Sequence, residues 1–295
     1  LSKRAVREHE AGRPFKVGIF SGASSCQSIE GDMAKAHAIK FRAPFSTNKD
    51  FREHVNLEEI EYEDMHLGHM AERLRHGFYG DMDWLIVEAS DISEYDDECQ
   101  LVLTSAGGIV ATAARLAKHV IIELNHFHSP RSRMLHDTYE PGECGFGRKP
   151  IPIINVLDKI GKDYISIDPK KIACVVECDI PEEARTFKSL TPTTLQMGNN
   201  VAEFLVADMR AGHIPPQFLP IQSGVGATGN AVLEAMGKNP HIPSFQVYSE
   251  VVQDAAIDLI EKGLIKAASA TAMTVTNDAL QHVYYDINFF AKHLF

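Results

Sequence analysis

The sequence predicts an α/β fold of two related α/β units with mainly parallel sheets. Three observations carry this. Short apolar runs alternate with helical patterns from residue 16 to about 176, which is the signature of strands joined by helical crossovers. The pattern changes near Ile180-Pro181 and then begins again. The second series also reads strand, loop, helix, around the glycine turn Gln222-Ser223-Gly224-Val225-Gly226-Ala227-Thr228-Gly229-Asn230.

Taken in order, residues 1–12 read as an exposed amphipathic helix ending at Gly12, and Lys16–Phe20 as a buried strand. The small-residue loop Ser21-Gly22-Ala23-Ser24-Ser25 follows, then a helix from about Gln27 to His37. Strands are expected at Trp84–Glu88, Leu101–Thr104, Val120–Leu124 and Ile172–Val176, with helices over about 68–77 and 108–118. The stretch 126–152 is rich in Pro, Gly, Arg and His and reads as a long functional or connecting loop. After Pro192 a helix pattern runs over about 193–211 to Gly212 and the breaker Pro215-Pro216. Beyond the glycine turn a short helix leads to the strand Phe245–Tyr248, ending on Ser249-Glu250. A helix follows at once, burying Val252, Ala255, Ala256, Leu259 and Ile260 and stopping at Gly263.

With 295 residues, 44% of them hydrophobic, the chain can bury a full core. Its formal charge of −11 argues against nonspecific binding to nucleic acid or an anionic membrane. Five scattered cysteines suit a reducing compartment without a disulfide framework. No apolar run approaches a membrane span and no signal-peptide pattern is visible, so a cytoplasmic location is expected. The chain opens Leu1-Ser2-Lys3 without an initiator Met and is expected to be a fragment or a processed piece.

Glu250 is the residue of most chemical interest. A carboxylate where a strand hands over to a helix is fixed at the open end of a sheet, near a positive helix terminus. The upstream glycine loop offers backbone N–H groups to an anion or oxyanion. Together they suit nucleophilic attack on an acyl group. A solvated acid at a helix start is the plainer reading. The loop lacks the P-loop pattern, polar Gln222-Ser223 rather than an apolar strand leads into it, and an ordinary tight turn is the plainer reading. Glu88, also at a strand end, is read as a structural carboxylate capping the loop at Ser90. His66 and His69 lack a third nearby ligand, and no metal is expected. His126, His128 and His136, with Arg131, Arg133 and Arg148, form either a solvated basic loop or a phosphate contact. Cys174 and Cys178 are expected to face a core. No Ser-His-Asp set can be assembled.

At these residues the chain resembles the acetyl-CoA hydrolase/transferase family, which includes succinyl-CoA:acetate CoA-transferases. The carriers are Gln222–Gly226 followed by Tyr248-Ser249-Glu250 and Gln253-Asp254. The likeness extends to Phe41-Arg42-Ala43-Pro44-Phe45, Asp64-Met65-His66-Leu67, Val120–Asn125 and His136–Pro141.

The resemblance implies an N-terminal CoA-transferase α/β domain over 1–184 and the start of a C-terminal one over 185–295, truncated relative to the family. It implies a CoA-transferase acting on succinyl-, acetyl- or propionyl-CoA and a free carboxylate, with Glu250 forming a glutamyl-CoA thioester. Gly224, Val225, Gly226, Ala227 and Thr228 would contact CoA, with the Val225 amide as oxyanion donor. Ser24 and Arg185 match positions near the carboxylate pocket. Coenzyme A would be a substrate, with no cofactor, and the molecule a homodimer. An acetyl-CoA hydrolase using the same glutamate, or a non-catalytic binding module, are the alternatives. The loop departs from many relatives by carrying Ala227-Thr228-Gly229 where an Asn follows the second glycine. The family continues well beyond Phe295, and the expectation is that the remainder completes the CoA pocket.

Overall fold

The computed structural model describes residues 1–24, 26–95, 97–141, 149–183 and 189–295. Contacts divide the chain into two compact units. One comprises Leu1–Asp83 with Gly108–Ala117, the other Trp84–Gly107 with Lys118–Phe295. The domain boundary at 184/185 implied by the resemblance falls inside the second unit and stays a proposal about domain order.

The first unit holds α1 (Ser2–Glu10), β1 (Val17–Phe20), α2 (Asp32–Lys35), β2 (Ile39–Ala43), α3 (Lys49–Asn56), β3 (Glu61–Tyr62), α4 (Leu67–Arg75) and α5 (Val110–Leu116). A π-helical turn, Gln27–Gly31, leads into α2 where a plain helix was expected. The three strands form a parallel sheet in sequence order. Ala5, Met33, Ile39, Phe51 and Ile60 make its main core.

Strand β2 escapes an apolar-run reading because Lys40 and Arg42 interrupt it. Arg42 is nonetheless fully buried. Its Nε donates to Glu30 Oε1 at 2.6 Å, Nη2 donates to Gly22 O and Phe45 O, and Nη1 to Ala43 O. Ser46 Oγ donates to the second Glu30 oxygen. A charge that desolvated must be paired and hydrogen-bonded throughout, and here it is.

The second unit is built on a five-stranded sheet in the order β7-β5-β4-β6-β8. The strands are β4 (Trp84–Tyr95), β5 (Glu98–Leu103), β6 (His119–Asn125), β7 (Ile165–Ile167) and β8 (Ile172–Cys178). Strands β4, β6 and β8 are parallel, while β5 runs antiparallel to β4 and β7. Val120 and Ile122 of β6 are completely buried. The edge strand β8 is mostly exposed instead. Cys174 faces solvent, and Cys178 Sγ lies half-buried against Glu123 Oε1 at 3.4 Å. The expectation that both cysteines face a core is corrected: β8 is uncovered on both faces, with Val175 and Val176 exposed as well.

The rest of this unit comprises α6 (Pro192–Arg210), α7 (Ala227–Lys238), β9 (Phe245–Val252), α8 (Asp254–Glu261), β10 (Ile265–Met273), α9 (Asn277–Tyr285) and α10 (Ile287–Phe290). Thr191 and Thr194 form a capping box that starts α6, with Pro192 in its first turn. Helices α6 and α7 approach so closely that a Cβ at Gly198 would meet Ala231 O at 2.3 Å. Strands β9 and β10 pair in parallel around α8. Gly263, at φ +70°, ends α8, its N–H bonding Ile260 O while Leu264 N–H bonds Leu259 O. Phe245, Val247, Val252, Leu259, Ile260, Leu280 and Phe290 belong to the core beneath this pair. Among the described residues no helix is long and apolar enough to cross a membrane.

Candidate active site

Strand β9 does not end at Glu250 as expected from the sequence. It continues to Val252, Gln253 caps α8, and the helix begins at Asp254. The acid at the positive helix terminus is therefore Asp254, whose carboxylate accepts from Thr276 N–H and Oγ1–H. Glu250 instead follows the two-residue alternation of a strand. Phe245 and Val247 face the core, while Tyr248 and Glu250 are exposed. The Glu250 carboxylate has no hydrogen bond or ion pair among the described residues. Its backbone carbonyl accepts from Thr271 Oγ1 of β10 at 2.7 Å.

The glycine loop runs along the other side of β9. Ile221 bridges Val247 in parallel, through Ile221 N–H to Gln246 O and Tyr248 N–H to Ile221 O, both 2.9 Å. Ser249 Oγ donates to Ser223 O at 3.3 Å. The residue next to Glu250 in sequence is thus tied to the residue before Gly224.

Gln253 holds the turn itself. It is 2% exposed. Gly226 N–H donates to its Oε1, and its Nε2 donates to Gly224 O, each at 3.1 Å. Between these two clamped residues sits Val225, 45% exposed, with no internal acceptor for its amide among the described residues. Gly226 has φ +127°, a conformation that favours glycine. Gly229 allows close approach, since a Cβ there would lie 2.2 Å from Gly224 O. Helix α7 starts at Ala227 with no capping side chain, so the first-turn amides of Ala227, Thr228 and Gly229 face outward from a positive helix end.

Sequence reasoning quoted Gln253 only within a motif and assigned it no role. Its signal was a long polar residue directly before a helix that carries the apolar spacing Ala255, Ala256, Leu259 and Ile260.

Ser24 belongs to the first unit, in an isolated bridge with Ser46, and its Oγ accepts from Cys26 N–H at 3.3 Å. Arg185 and Arg148 lie outside the described residues. His66 and His69 stack edge to face, and no third ligand joins them among the described residues.

Glu88 does not cap the loop at Ser90. It lies within β4 and accepts from Asn125 Nδ2 at 2.6 Å and Thr104 Oγ1 at 3.1 Å. Burial opposes its ionisation, but His128 and Asn125 outweigh that and hold the carboxyl below its ordinary range. His128 is buried rather than solvated, and its Nδ1 lies 2.9 Å from Tyr284 Oη. Half-buried His136 bonds Leu103 O. Exposed Arg131 donates to Asn288 Oδ1, and Arg133 lies near Asp91 and Asp163. The solvated-loop reading fails for His128 and His136, because this stretch packs against β5 and α10.

The site thus joins an exposed glutamate of β9, unpartnered among the described residues, to a glycine turn tied to the same strand. The comparisons give the family. Residues 1–177 match the acetyl-CoA hydrolase/transferase N-terminal domain, and the chain belongs to that family. It is 38% identical to the propanoyl-CoA:succinate CoA transferase of Escherichia coli K12, over 100% of this chain and 59% of the relative. It is 33% identical to the succinyl-CoA:acetate CoA-transferase of Clostridium kluyveri, over 95% of this chain and 51% of the relative. The chain therefore spans a little over half the length of these relatives. Its fold is similar to that of RipA from Yersinia pestis, with a TM-score of 0.65 at 15% identity, covering 96% of this chain and 59% of that one.

Proposed function

We propose that this chain supplies the nucleophile of a CoA-transferase that moves CoA between a short acyl-CoA and a free carboxylate. The observation that carries the reading is the exposed Glu250 on β9, without a partner among the described residues, with the Gly224–Gly226 turn tied to that strand through Ser249 and to the residue following it, Gln253. Support for the substrate class comes from the relatives, named for CoA transfer from propanoyl-CoA to succinate and from succinyl-CoA to acetate.

A Glu250 oxygen attacks the thioester carbonyl, the C–S bond breaks, and an acyl-glutamyl anhydride and CoA thiolate form. The thiolate then attacks the glutamyl carbonyl, releasing the first carboxylate and leaving a glutamyl-CoA thioester. An incoming carboxylate runs the two steps in reverse and leaves as the new acyl-CoA. Covalent catalysis conserves the thioester energy that hydrolysis would lose. The Val225 amide is the donor proposed for the developing oxyanion, and Gly224, Gly226, Ala227 and Thr228 are proposed to face CoA. Ser24 and Arg185 are proposed for the carboxylate pocket, in a homodimeric protein using no cofactor.

The exposure of Glu250 favours one second reading, a hydrolase in which water takes the glutamyl intermediate. Acyl-CoA consumption by the whole protein, with and without added acetate or succinate, separates the two. Acceptor-dependent consumption supports transfer, and acceptor-independent loss supports hydrolysis. Unchanged consumption by Glu250→Gln would defeat both.

A further inference from the structure

Away from Glu250, three side chains of the second unit converge on one point. Glu88 comes from β4, His128 from the turn after β6 and Glu182 from the segment after β8. Each offers one ligand atom, and these atoms lie within 4.8 Å of one another. His128 Nε2 is 3.7 Å from Glu88 Oε1 and 3.6 Å from Glu182 Oε1. That nitrogen is buried and has no hydrogen-bond partner among the described residues. The separations are too long for N–H···O bonds, which run about 2.7–3.2 Å. They lie at and just above the spacing of ligands that share an ion: bonds of about 2.0–2.2 Å in a tetrahedral set place neighbouring ligands about 3.3–3.6 Å apart.

The surroundings are those of a braced site. Asn125 Nδ2 and Thr104 Oγ1 each donate to one oxygen of Glu88. Ser105 Oγ donates to Glu182 Oε1, and Asn277 Nδ2 donates to the Glu182 carbonyl. Tyr284 Oη meets the other nitrogen of His128, which leaves Nε2 facing the two carboxylates. Outer contacts of this kind fix the orientation of metal-binding side chains.

We propose that Glu88, His128 and Glu182 bind a divalent transition metal, zinc by their two-carboxylate, one-imidazole chemistry. The three ligands share no short sequence spacing, so the motif-based expectation of no metal did not reach them. The ion would pin the segment after β8 to the sheet. Through Ser105 it would also brace the 105–107 stretch that pairs with β10, where Met273 N–H bonds Ser105 O and Gly107 N–H bonds Thr271 O. Thr271 in turn bonds the Glu250 carbonyl. The role is structural, and the proposal does not depend on the transferase reading.

The test is zinc retention. Protein stripped with EDTA is loaded with zinc chloride, desalted and assayed for metal by mass spectrometry, with affinity from calorimetric titration. His37, His54 and Glu59 form the other three-ligand group among the described residues, but they are exposed or half-buried, and both histidines already contact Glu59. His54→Asn therefore controls for surface binding. We expect one tightly retained zinc per chain, at least a tenfold weaker affinity in Glu182→Gln, and no change in His54→Asn. Glu182 is partly exposed, so this variant probes the site even if His128→Asn fails to fold. No retained zinc in the wild type, or retention that Glu182→Gln leaves intact, overturns the proposal.

Discussion

Gln253 and Gly226 are joined by a 3.1 Å hydrogen bond from the glycine N–H to the side-chain oxygen, and the same amide returns a bond to Gly224 O. One buried side chain thus fixes both ends of the turn and sets the direction of the Val225 peptide. Gln253→Leu keeps the bulk but removes both bonds. Losing two part-buried hydrogen bonds, each worth about 0.5–1.5 kcal/mol, should be read as a lower urea midpoint. Transfer by the whole protein should fall further than stability does, by about 100-fold, because small misplacements at a reacting centre cost that much. Equal activity in the variant would mean that the turn does not serve the reaction.

The glycines of the turn should not be equivalent. At Gly229 an added Cβ meets Gly224 O at 2.2 Å, whereas at Gly224 it meets nothing within 4 Å. Gly229→Ala should therefore destabilise by about 1–3 kcal/mol through overpacking, and Gly224→Ala should melt within a few degrees of the wild type. Thermal unfolding of the pair checks this, and the reverse order would contradict it.

Arg42 and Glu30 offer a test inside the first unit. Both are essentially unexposed, with Nε to Oε1 at 2.6 Å. Arg42→Met removes one charge and strands the other, which should cost about 3–5 kcal/mol. Removing both partners, in Arg42→Met with Glu30→Gln, should recover part of that loss in denaturant unfolding. No recovery would mean that the lost bonds to Gly22, Ala43 and Phe45, rather than the stranded charge, dominate.

Much of this fold is legible in the sequence, for identifiable reasons. Strands β4, β6 and β8 carry apolar runs, and α6 and α8 carry helical spacing with readable stops at Gly212 and Gly263. Strand β2 was hidden by Arg42, whose buried partner lies twelve residues upstream. Strand β10 was hidden because Ala, Ser and Thr dominate its middle. The extension of β4 to Tyr95 was missed because Asp91, Ser93 and Glu94 break the apolar run while β5 supplies the pairing. In the site, Glu250 and the glycine turn were readable as residue types. Its position within the strand was not, since β9 is carried past it by register with β10. The clamp by Gln253 and the convergence of Glu88, His128 and Glu182 depend on tertiary contacts that no spacing encodes.

His136 predicts a pH dependence. Burial lowers its pKa from the usual 6.5, more than the bond to Leu103 O raises it. The unfolded chain therefore binds a proton more readily than the folded one near and below pH 6.5. Stability from this residue is full above that pH and is lost as pH falls. The urea midpoint should drop between pH 7.5 and 5.5, and drop less steeply in His136→Gln. Identical slopes would remove His136 from the explanation.

The account rests on Glu250 as the covalent carrier, and one measurement reaches it directly. The whole protein is incubated with acyl-CoA, treated with borohydride and digested, and its peptides are mapped by mass spectrometry. Reduction of a glutamyl-CoA thioester should convert Glu250 to the alcohol, inactivate the protein, and leave no such change in Glu250→Gln. A modification mapped to another carboxylate, such as Glu88, or full activity after treatment, would contradict the assignment.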